Sequence, residues 1–323
     1  MNGNIREMLG ANPNRVILLD GGMGSSIEDR GIDVNNALWG SFCFLNDQGR
    51  EINQQVHGEF AAAGAEILIT NTHNVRLGKC KQFLTEVEPT VLPDSITQLP
   101  AKQRVSACHR WMLDQATQSA RDAIANQAND RDIAIAICTG SIEPLGAYAT
   151  ESQISKHEAC TRLEAEFLAR RSLGPELIIF ETLTTKTEIQ GLAMLSAKHD
   201  LGDFAIGLTC GPDANTLAGV SMVQAVEILQ ATKPLVYFIQ CTPFDQVLAP
   251  LEQLSHALGS NGITGVYAND GRVWANGRWT GQRAGPHAYA DEAIKWKQHG
   301  ARVIGGCCGT GPAHIRQLIP LAE

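Results

Sequence analysis

The stretch ARVIGGCCG, from Ala301 to Gly309, begins as a short apolar run and ends on two adjacent cysteines enclosed by glycines. It is the last of eight such runs, each of the continuous apolar kind typical of strands buried on both faces. The other seven begin at Val16, Glu66, Ile133, Glu176, Phe204, Leu235 and Ile263. Between them, apolar residues recur every three or four positions, as in helices. Eight alternating units predict an α/β protein with a (β/α)8 TIM barrel, a single domain over residues 1–323.

An open, doubly wound sheet is the alternative architecture. Against it, no predicted strand is followed by the G-x-G-x-x-G turn of a dinucleotide site, and GGMGSS after the first strand has a different spacing. The longest segment between strands, 75–131, contains the turn-rich EPTVLPDSITQLP and a predicted helix from about Lys102 to Asn126. We interpret this segment as an insertion between strands two and three, over the barrel mouth, and not as a separate domain.

The composition narrows the class of protein. Of 323 residues, 44% are hydrophobic and 19% are charged, so a large core can form. No apolar run reaches the ~18 residues of a membrane helix, and the opening MNGNIREMLGANPNR lacks a signal-peptide core, so we expect a cytoplasmic protein without membrane contact. The net charge of -8 argues against nucleic acid as a partner. Nine cysteines, an odd number, indicate reduced thiols, of which Cys138 and Cys160 are expected in the core.

Polar and thiol side chains end nearly every predicted strand. In a barrel of this type the chemistry takes place at the carboxyl ends of the strands, which together form one rim. The residues at these ends are Asp20, Asn71 with Thr72, Ser141, Glu181, Cys210, Cys241, Asn269, and Cys307 with Cys308. A purely structural strand end would more often close on Gly, Pro or Asn. The convergence therefore predicts a functional site at the rim.

Three of these thiols predict a metal site. Cys241 ends strand six and the pair Cys307 and Cys308 ends strand eight, so a closed barrel brings all three to one rim. Three thiolates with one open position are the pattern of a catalytic zinc site. Neighbouring residues of a regular strand point to opposite faces, so both members of the pair can face one ion only if the backbone leaves strand geometry. We expect the glycines at 305, 306 and 309 to permit that departure.

Other interpretations of the three thiols remain open at this point. The vicinal pair could be small buried residues, or Cys210 could be a fourth ligand that closes a structural zinc site. We predict that Cys210 is not a ligand, because the GPDANT that follows it lacks a glycine pair. A vicinal-dithiol redox protein would need a strained ring between adjacent cysteines. A zinc-buffering or regulatory protein would keep the thiol site without catalysing a reaction.

Several motifs together resemble the zinc-dependent homocysteine S-methyltransferases. They extend from Val16 to Leu318 and read LLDGGMGSSIEDRG, ITNTHN, TGSIEPLGAY, FETL, FIQCTP, YANDG and GGCCGTGPAHI. The fold of that family is a (β/α)8 barrel, in agreement with the count of strands. The resemblance implies that Zn²⁺ is held by Cys241, Cys307 and Cys308. It also implies that Asp20 and Glu181 bind the amino group of homocysteine, and that the backbone of Gly21 and Met23 receives its carboxylate.

The remaining strand-end residues, Asn71, Thr72, Ser141 and Asn269, are further candidates for substrate binding. The resemblance implies methyl transfer from a cationic donor to the homocysteine thiol, which gives methionine. YANDGR is more similar to enzymes that use S-methylmethionine or S-adenosylmethionine than to the betaine enzyme. Sulfonium-using members carry Gly at the position of Glu143, so this residue either faces a cationic donor or caps a helix. A betaine-dependent enzyme, another thiol or selenol methyltransferase and a non-catalytic zinc-thiolate protein are the alternatives, and the sequence indicates no oligomeric state.

Overall fold

Eight parallel strands form one sheet in this computed structural model, which describes residues 4–86, 91–127, 131–260, 262–275 and 278–323. The strands are β1 (Ile17–Leu18), β2 (Ile67–Ile69), β3 (Ala134–Thr139), β4 (Leu177–Leu183), β5 (Phe204–Leu208), β6 (Val236–Pro243), β7 (Thr264–Asn269) and β10 (Ala301–Gly306). Their order is β1-β10-β7-β6-β5-β4-β3-β2, and a parallel bridge between Leu19 and Ile67 joins the two ends. The predicted (β/α)8 barrel is confirmed, and the doubly wound alternative is wrong.

Helices surround this sheet, and several begin where the sequence offers a cap. They are α1 (Ile5–Ala11), α2 (Met23–Glu28), α3 (Asp47–Ala62), α4 (Leu77–Glu86), α5 (Asp94–Thr97), α6 (Ala101–Ala125), α7 (Lys156–Arg171), α8 (Lys186–Lys198), α9 (Met222–Leu229), α10 (Leu248–Leu258), α11 (Pro286–Gln298) and α12 (Pro312–Ala322). Ser155, Thr185 and Ser221 each accept a hydrogen bond from a first-turn amide and so fix the starts of α7, α8 and α9. None of the helices in the described ranges combines the length and hydrophobicity needed to cross a bilayer.

Two apolar layers hold the barrel together. The inner layer fills the barrel, where the rings of Phe238 and Tyr267 meet edge to face with their centroids 4.8 Å apart. Ile5 and Leu9 of α1 pack into the same layer, beside the first residues of several strands, and so close the amino end of the barrel. The outer layer lies between strands and helices. Cys138 is buried in the inner layer and Cys160 in the outer one, as predicted.

The described part of the segment between β2 and β3 contains three helices, and they differ in role. The long helix α6 matches the predicted one closely. It packs against α3 and β3, where its Ala120 joins Ile135 and Ile137 in a buried cluster, so α6 is the outer helix that this crossover requires. The additional elements are therefore α4 and α5. Of these, the first turn of α4 reaches the barrel mouth, through Lys79.

A buried ion network ties α7 to the chain that follows β2. Arg170 is fully buried, and its guanidinium donates to Glu166 Oε2 at 2.6 Å, Cys138 O at 2.8 Å and Val75 O at 2.6 Å. Burial alone would raise the pKa of Glu166, but the Arg170 charge and the His109 hydrogen bond lower it to about 2. A lowered pKa stabilises the fold at pH values above about 4.5, and this contribution is lost as the pH falls toward 2.

We expect Arg170→Met to destabilise the protein by about 3 to 5 kcal/mol, because it leaves the Glu166 carboxylate buried without its ionic partner. Urea unfolding followed by circular dichroism measures the change. The control is Arg110→Gln, which removes an exposed ion pair to Asp114 on α6 and should cost less than about 1 kcal/mol. An equal loss of unfolding free energy in the two variants would contradict a structural role for the buried network.

Candidate active site

A cavity of about 410 Å³ opens at the carboxyl ends of the strands. Its wall is built by the residues that follow β1 and β2, by the ends of β4, β6 and β10, and by a short antiparallel hairpin, β8 (Val273–Ala275) and β9 (Arg278–Thr280). Cys241, Cys307 and Cys308 all line this cavity, and so do Gly21 and Glu181. The rim predicted from the strand ends is therefore the mouth of a real cavity.

Cys241 stands on a bulge near the end of β6. The pairing of β6 with β7 shifts between Gln240 and Pro243, and Cys241 takes a positive φ of 48°. A non-glycine residue in this region costs on the order of 1 to 3 kcal/mol and persists only where the surroundings hold it. Asn269 does so, since its side-chain amide donates to Cys241 O at 3.0 Å. The bulge re-aims the thiol relative to a regular strand.

Cys307 and Cys308 lie in the turn after β10, beyond the last residue of the strand. Of the three glycines expected to free the backbone, only Gly309 has a positive φ, of 80°. The other two are required by close packing. A Cβ on Gly306 would lie 2.1 Å from Thr310 Oγ1, and one on Gly305 would lie 2.5 Å from Leu19 Cβ. The expected conformational role of these two glycines is therefore wrong.

The three thiols lie at the spacing that one metal ion needs. The sulfur of Cys308 is 3.5 Å from that of Cys241 and 3.9 Å from that of Cys307, and all three lie within 4.8 Å of one another. Tetrahedral zinc with Zn–S bonds of ~2.3 Å separates its sulfurs by roughly 3.8 Å, so the donor set fits Zn²⁺. Cys210 is not part of this group, and burial raises the pKa of its thiol to about 12.

The three thiols also shift one another's pKa values. Hydrogen bonds from Cys307 and Cys308 hold the pKa of Cys241 well below its usual value. Burial raises the pKa of Cys307, and the hydrogen bond to Cys241 raises that of Cys308. Three thiols this close do not all ionise on their own, because like charges repel. A bound cation is the natural means of ionising all three.

Of the two predicted carboxylates, Glu181 lines the cavity, whereas Asp20 is not one of the residues of its wall. Asp20 is buried, and its Oδ2 accepts from the Ile69 amide at 2.8 Å, while its buried Oδ1 has no hydrogen-bond partner within the described ranges. Burial raises the pKa of Asp20, and the charge of Glu181 raises it further. Glu181 receives hydrogen bonds from Tyr267 Oη at 3.2 Å and pairs with His73 Nδ1 at 2.9 Å. Two acidic side chains, one with a buried carboxylate oxygen that accepts no hydrogen bond within the described ranges, suit a cationic ligand.

The other predicted strand-end residues divide into two groups. Asn71 lines the cavity, although its amide already donates to Asn53 Oδ1 at 3.0 Å. Thr72 and Ser141 lie outside the cavity wall, where they donate to Cys138 O at 2.8 Å and Glu188 Oε1 at 2.6 Å. Asn269 also lies outside it and supports the β6 bulge. These bonds suit residues that hold the strand ends in place.

Glu143, for which the sequence left two roles open, does not line the cavity. It is buried, and its Oε1 accepts from the hydroxyl of Thr185, the residue that caps α8, at 2.8 Å. Its Oε2 accepts from the backbone N–H of Gln153 at 3.3 Å. Of the two roles, support of a helix start fits these contacts, and contact with a donor does not.

An aromatic wall, formed by Tyr148, Trp274 and Trp279, was not predicted. Tyr148 and Trp274 are stacked with ring centroids 6.2 Å apart, and Trp279 meets Tyr148 edge-on at 6.0 Å. The Tyr148 hydroxyl is 3.1 Å from Cys241 Sγ, so the wall adjoins the thiols. One signal could have found it: WANGRW places an Asn-Gly pair, a strong hairpin signal, between the two tryptophans.

Residues 17–320 match the family model described as homocysteine S-methyltransferase. The homocysteine S-methyltransferase of Escherichia coli strain K12 is 26% identical over 316 residues, which cover 94% of each chain. The homocysteine S-methyltransferase YbgG of Bacillus subtilis is 26% identical over 95% of each chain. The metallated form of the E. coli homocysteine methyltransferase MmuM superposes with a TM-score of 0.76 at 22% identity, covering 98% of this chain and 99% of that one, and shares the fold. Because the family model spans nearly the whole sequence, this chain belongs to the homocysteine S-methyltransferase family of enzymes.

Proposed function

We propose that this protein transfers a methyl group from a cationic donor to the thiol of L-homocysteine, giving methionine, with Zn²⁺ held by Cys241, Cys307 and Cys308. In this proposal residues 1–323 act as one homocysteine-binding barrel. The observation that carries it is the meeting of three thiols, from two separate strand ends, at zinc-ligand spacing in a cavity wall. The printed names of the relatives, homocysteine S-methyltransferases, supply the substrate.

The thiols would serve as the three protein ligands of a catalytic zinc site, which keeps one position free. Zn²⁺, when bound, supplies the positive charge that keeps a coordinating thiol ionised at neutral pH. The Tyr148 hydroxyl, 3.1 Å from Cys241 Sγ, and the Gln240 amide, 3.7 Å from Cys307 Sγ, lie beside the sulfurs and can donate to them. These two residues would hold the thiolates in position.

Homocysteine would bind through its charged ends. Its ammonium group would lie against Glu181 and the free oxygen of Asp20, and charge-assisted bonds of this kind are the stronger class of hydrogen bond. Its carboxylate would accept from the backbone of Gly21 and Met23. Both residues line the cavity, and Met23 begins α2, where first-turn amides lack partners within the helix. Asn71, in the same wall, is a further candidate contact.

The reaction balances without an oxidant or reductant. The homocysteine sulfur gives an electron pair to the methyl carbon, and the bond from that carbon to the donor heteroatom breaks with its own pair. The thiol proton passes to solvent, and the donor loses its positive charge. Holding the sulfur and the methyl group in line is the main contribution expected of the protein.

The aromatic wall supports a cationic donor, because the faces of Trp and Tyr attract cations, as the Arg272 guanidinium over the Trp279 ring at 5.6 Å illustrates; the donor would then use Tyr148 and Trp274. Among such donors we propose the sulfonium compounds S-methylmethionine or S-adenosylmethionine, on the resemblance of YANDGR to sulfonium users. Betaine is also a cation and would fit the same wall. A non-catalytic zinc-thiolate protein would share the thiols and use none of these donors.

Assay of the zinc-loaded protein with homocysteine and each donor in turn tests the proposal directly. We expect methionine to form with S-methylmethionine or S-adenosylmethionine, since the wall suits a cationic methyl carrier. Chromatography with mass detection measures the product. If methionine formed with betaine alone, betaine would be the donor. If no donor gave methionine, a non-catalytic zinc-thiolate protein would be favoured.

We expect Cys241→Ala, Cys307→Ala and Cys308→Ala each to abolish zinc retention, because a three-thiolate site cannot lose a ligand without losing most of its affinity. Metal analysis of each purified variant after dialysis measures this. The matched control is Cys210→Ser, a nearby strand-end thiol outside the cluster, which should keep zinc and activity. Full zinc retention in any of the first three variants would contradict the ligand assignment.

Asp20→Asn and Glu181→Gln should spare zinc and weaken homocysteine binding. A charge-assisted hydrogen bond to a desolvated ammonium is worth on the order of 1.5 to 3 kcal/mol, which corresponds to a rise of roughly 10- to 150-fold in the apparent homocysteine constant per substitution. Steady-state kinetics measures it. Glu143→Gln, a buried carboxylate outside the cavity, is the control and should leave that constant unchanged. Wild-type constants in the first two variants, or loss of zinc, would show these carboxylates to be structural.

A further inference from the structure

Arg76 is a buried guanidinium in the cavity wall whose hydrogen-bonding groups are largely unused. It is only 6% exposed, yet within the described ranges it forms no salt bridge, and its one side-chain hydrogen bond is a long one, from Nη2 to Asn74 Oδ1 at 3.4 Å. Its Nε is buried without a partner there. Charged groups as buried as this are normally paired, because desolvation of a charge is costly. The arrangement therefore indicates an anionic ligand.

A second buried arginine shows what a structural role looks like in the same region. Arg170 is fully buried, and its guanidinium makes an ion pair with Glu166 and hydrogen bonds to four backbone carbonyls. Both arginines lie next to the chain that follows β2. The contrast means that this part of the fold can satisfy a guanidinium completely, whereas Arg76, a residue of the cavity wall, is left largely without hydrogen-bond partners in the described ranges.

The surroundings of Arg76 carry charges of both signs: the Glu166 and Glu188 carboxylates act on it, and Lys79 shares its helix start. It immediately precedes α4, where the Cys80 amide donates to Arg76 O at 2.8 Å, so its side chain leaves the helix at the positive end of the helix dipole. Lys79, in the first turn of the same helix, also lines the cavity. Burial lowers the pKa of Arg76 to about 10, so it still carries its charge at neutral pH. The Leu77 amide at this helix start already binds the Glu166 carboxylate at 2.8 Å, so the further anion that Arg76 and Lys79 favour is one in the cavity.

We propose that Arg76, assisted by Lys79, binds the carboxylate of the methyl donor. The enzyme then selects donors that combine a methyl-bearing cation with a carboxylate, the cation against the aromatic wall and the carboxylate on the guanidinium. The inference rests on the proposed function, in which the Gly21 and Met23 amides already take the homocysteine carboxylate. The donor carboxylate is the remaining anion, and a guanidinium matches its two oxygens in a bidentate pair.

Calorimetric titration of the zinc-loaded protein, without homocysteine, tests this by binding alone. The two probes are S-methylmethionine and its methyl ester, which keeps both cations and lacks the carboxylate. We expect wild-type protein to bind the acid at least 10-fold more tightly than the ester, and Arg76→Gln to weaken the acid by roughly 10- to 100-fold and abolish that preference. Lys79→Gln should weaken the acid by only a few-fold, because this side chain is less buried. Homocysteine should bind Arg76→Gln with wild-type affinity.

Thermal unfolding separates binding from folding. Arg76→Gln should keep or raise the melting temperature, because it removes a buried charge that has no protein partner, whereas Arg170→Met should lower it. If the melting temperature of Arg76→Gln fell as far as that of Arg170→Met, Arg76 would be a structural residue and the proposal would be overturned. Equal wild-type affinity for acid and ester, absence of acid binding, or loss of homocysteine affinity in Arg76→Gln would overturn it too.

The two proposals fail separately in this design. A wild-type protein that prefers the acid through Arg76 but makes no methionine would refute the methyl transfer and leave the carboxylate site standing. A wild-type protein that makes methionine while showing no preference between acid and ester would refute the carboxylate site alone.

Discussion

Closure of eight parallel strands into one sheet is the constraint on which the whole site depends. The bridge between Leu19 and Ile67 joins β1 to β2, and parallel pairing then brings every strand to the mouth with the same polarity. Cys241 and Cys308 therefore meet although β7 and the hairpin separate them in sequence. The same closure brings the residues that follow β1 and the end of β4 to one cavity. No local sequence signal could hold such a group together without the sheet.

Within that frame, two strained bulges set the direction of the functional side chains. Thr182 in β4 and Cys241 in β6 both have positive φ, of 54° and 48°, at points where the strand pairing shifts. Gln240 links them, because its Oε1 accepts from the Thr182 amide at 2.9 Å while its Nε2 lies 3.7 Å from Cys307 Sγ. Strain of this kind persists where surrounding contacts over-determine it. One buried glutamine thus connects the carboxylate strand with the thiols.

Much of this could be read from the sequence, and the limits have physical causes. The strand series and the thiols were predictable, because buried parallel strands are continuous apolar runs and strand ends share one rim. The close-packing role of Gly306 was not, since it depends on Thr310 across a turn. The buried bond between Glu143 and Thr185 joins residues from different loops, and no pattern within either segment signals it. The state of Arg76 was equally hidden, because sequence shows a charge and not whether that charge is paired.

The layout of charge in the cavity suggests how binding and release are balanced. In the proposed function Glu181 and Asp20 bind the ammonium group of homocysteine, while Arg76 with Lys79 binds the carboxylate of the donor and the aromatic wall binds its methyl-bearing cation. In the proposed reaction the donor gives up its positive charge with its methyl group. The attraction between that charge and the aromatic rings then disappears, while the pairing of its carboxylate with Arg76 is unchanged. Because only the first of these contacts changes in the proposed reaction, the aromatic wall would discriminate donor from demethylated product, and Arg76 would discriminate carboxylate-bearing compounds from the rest.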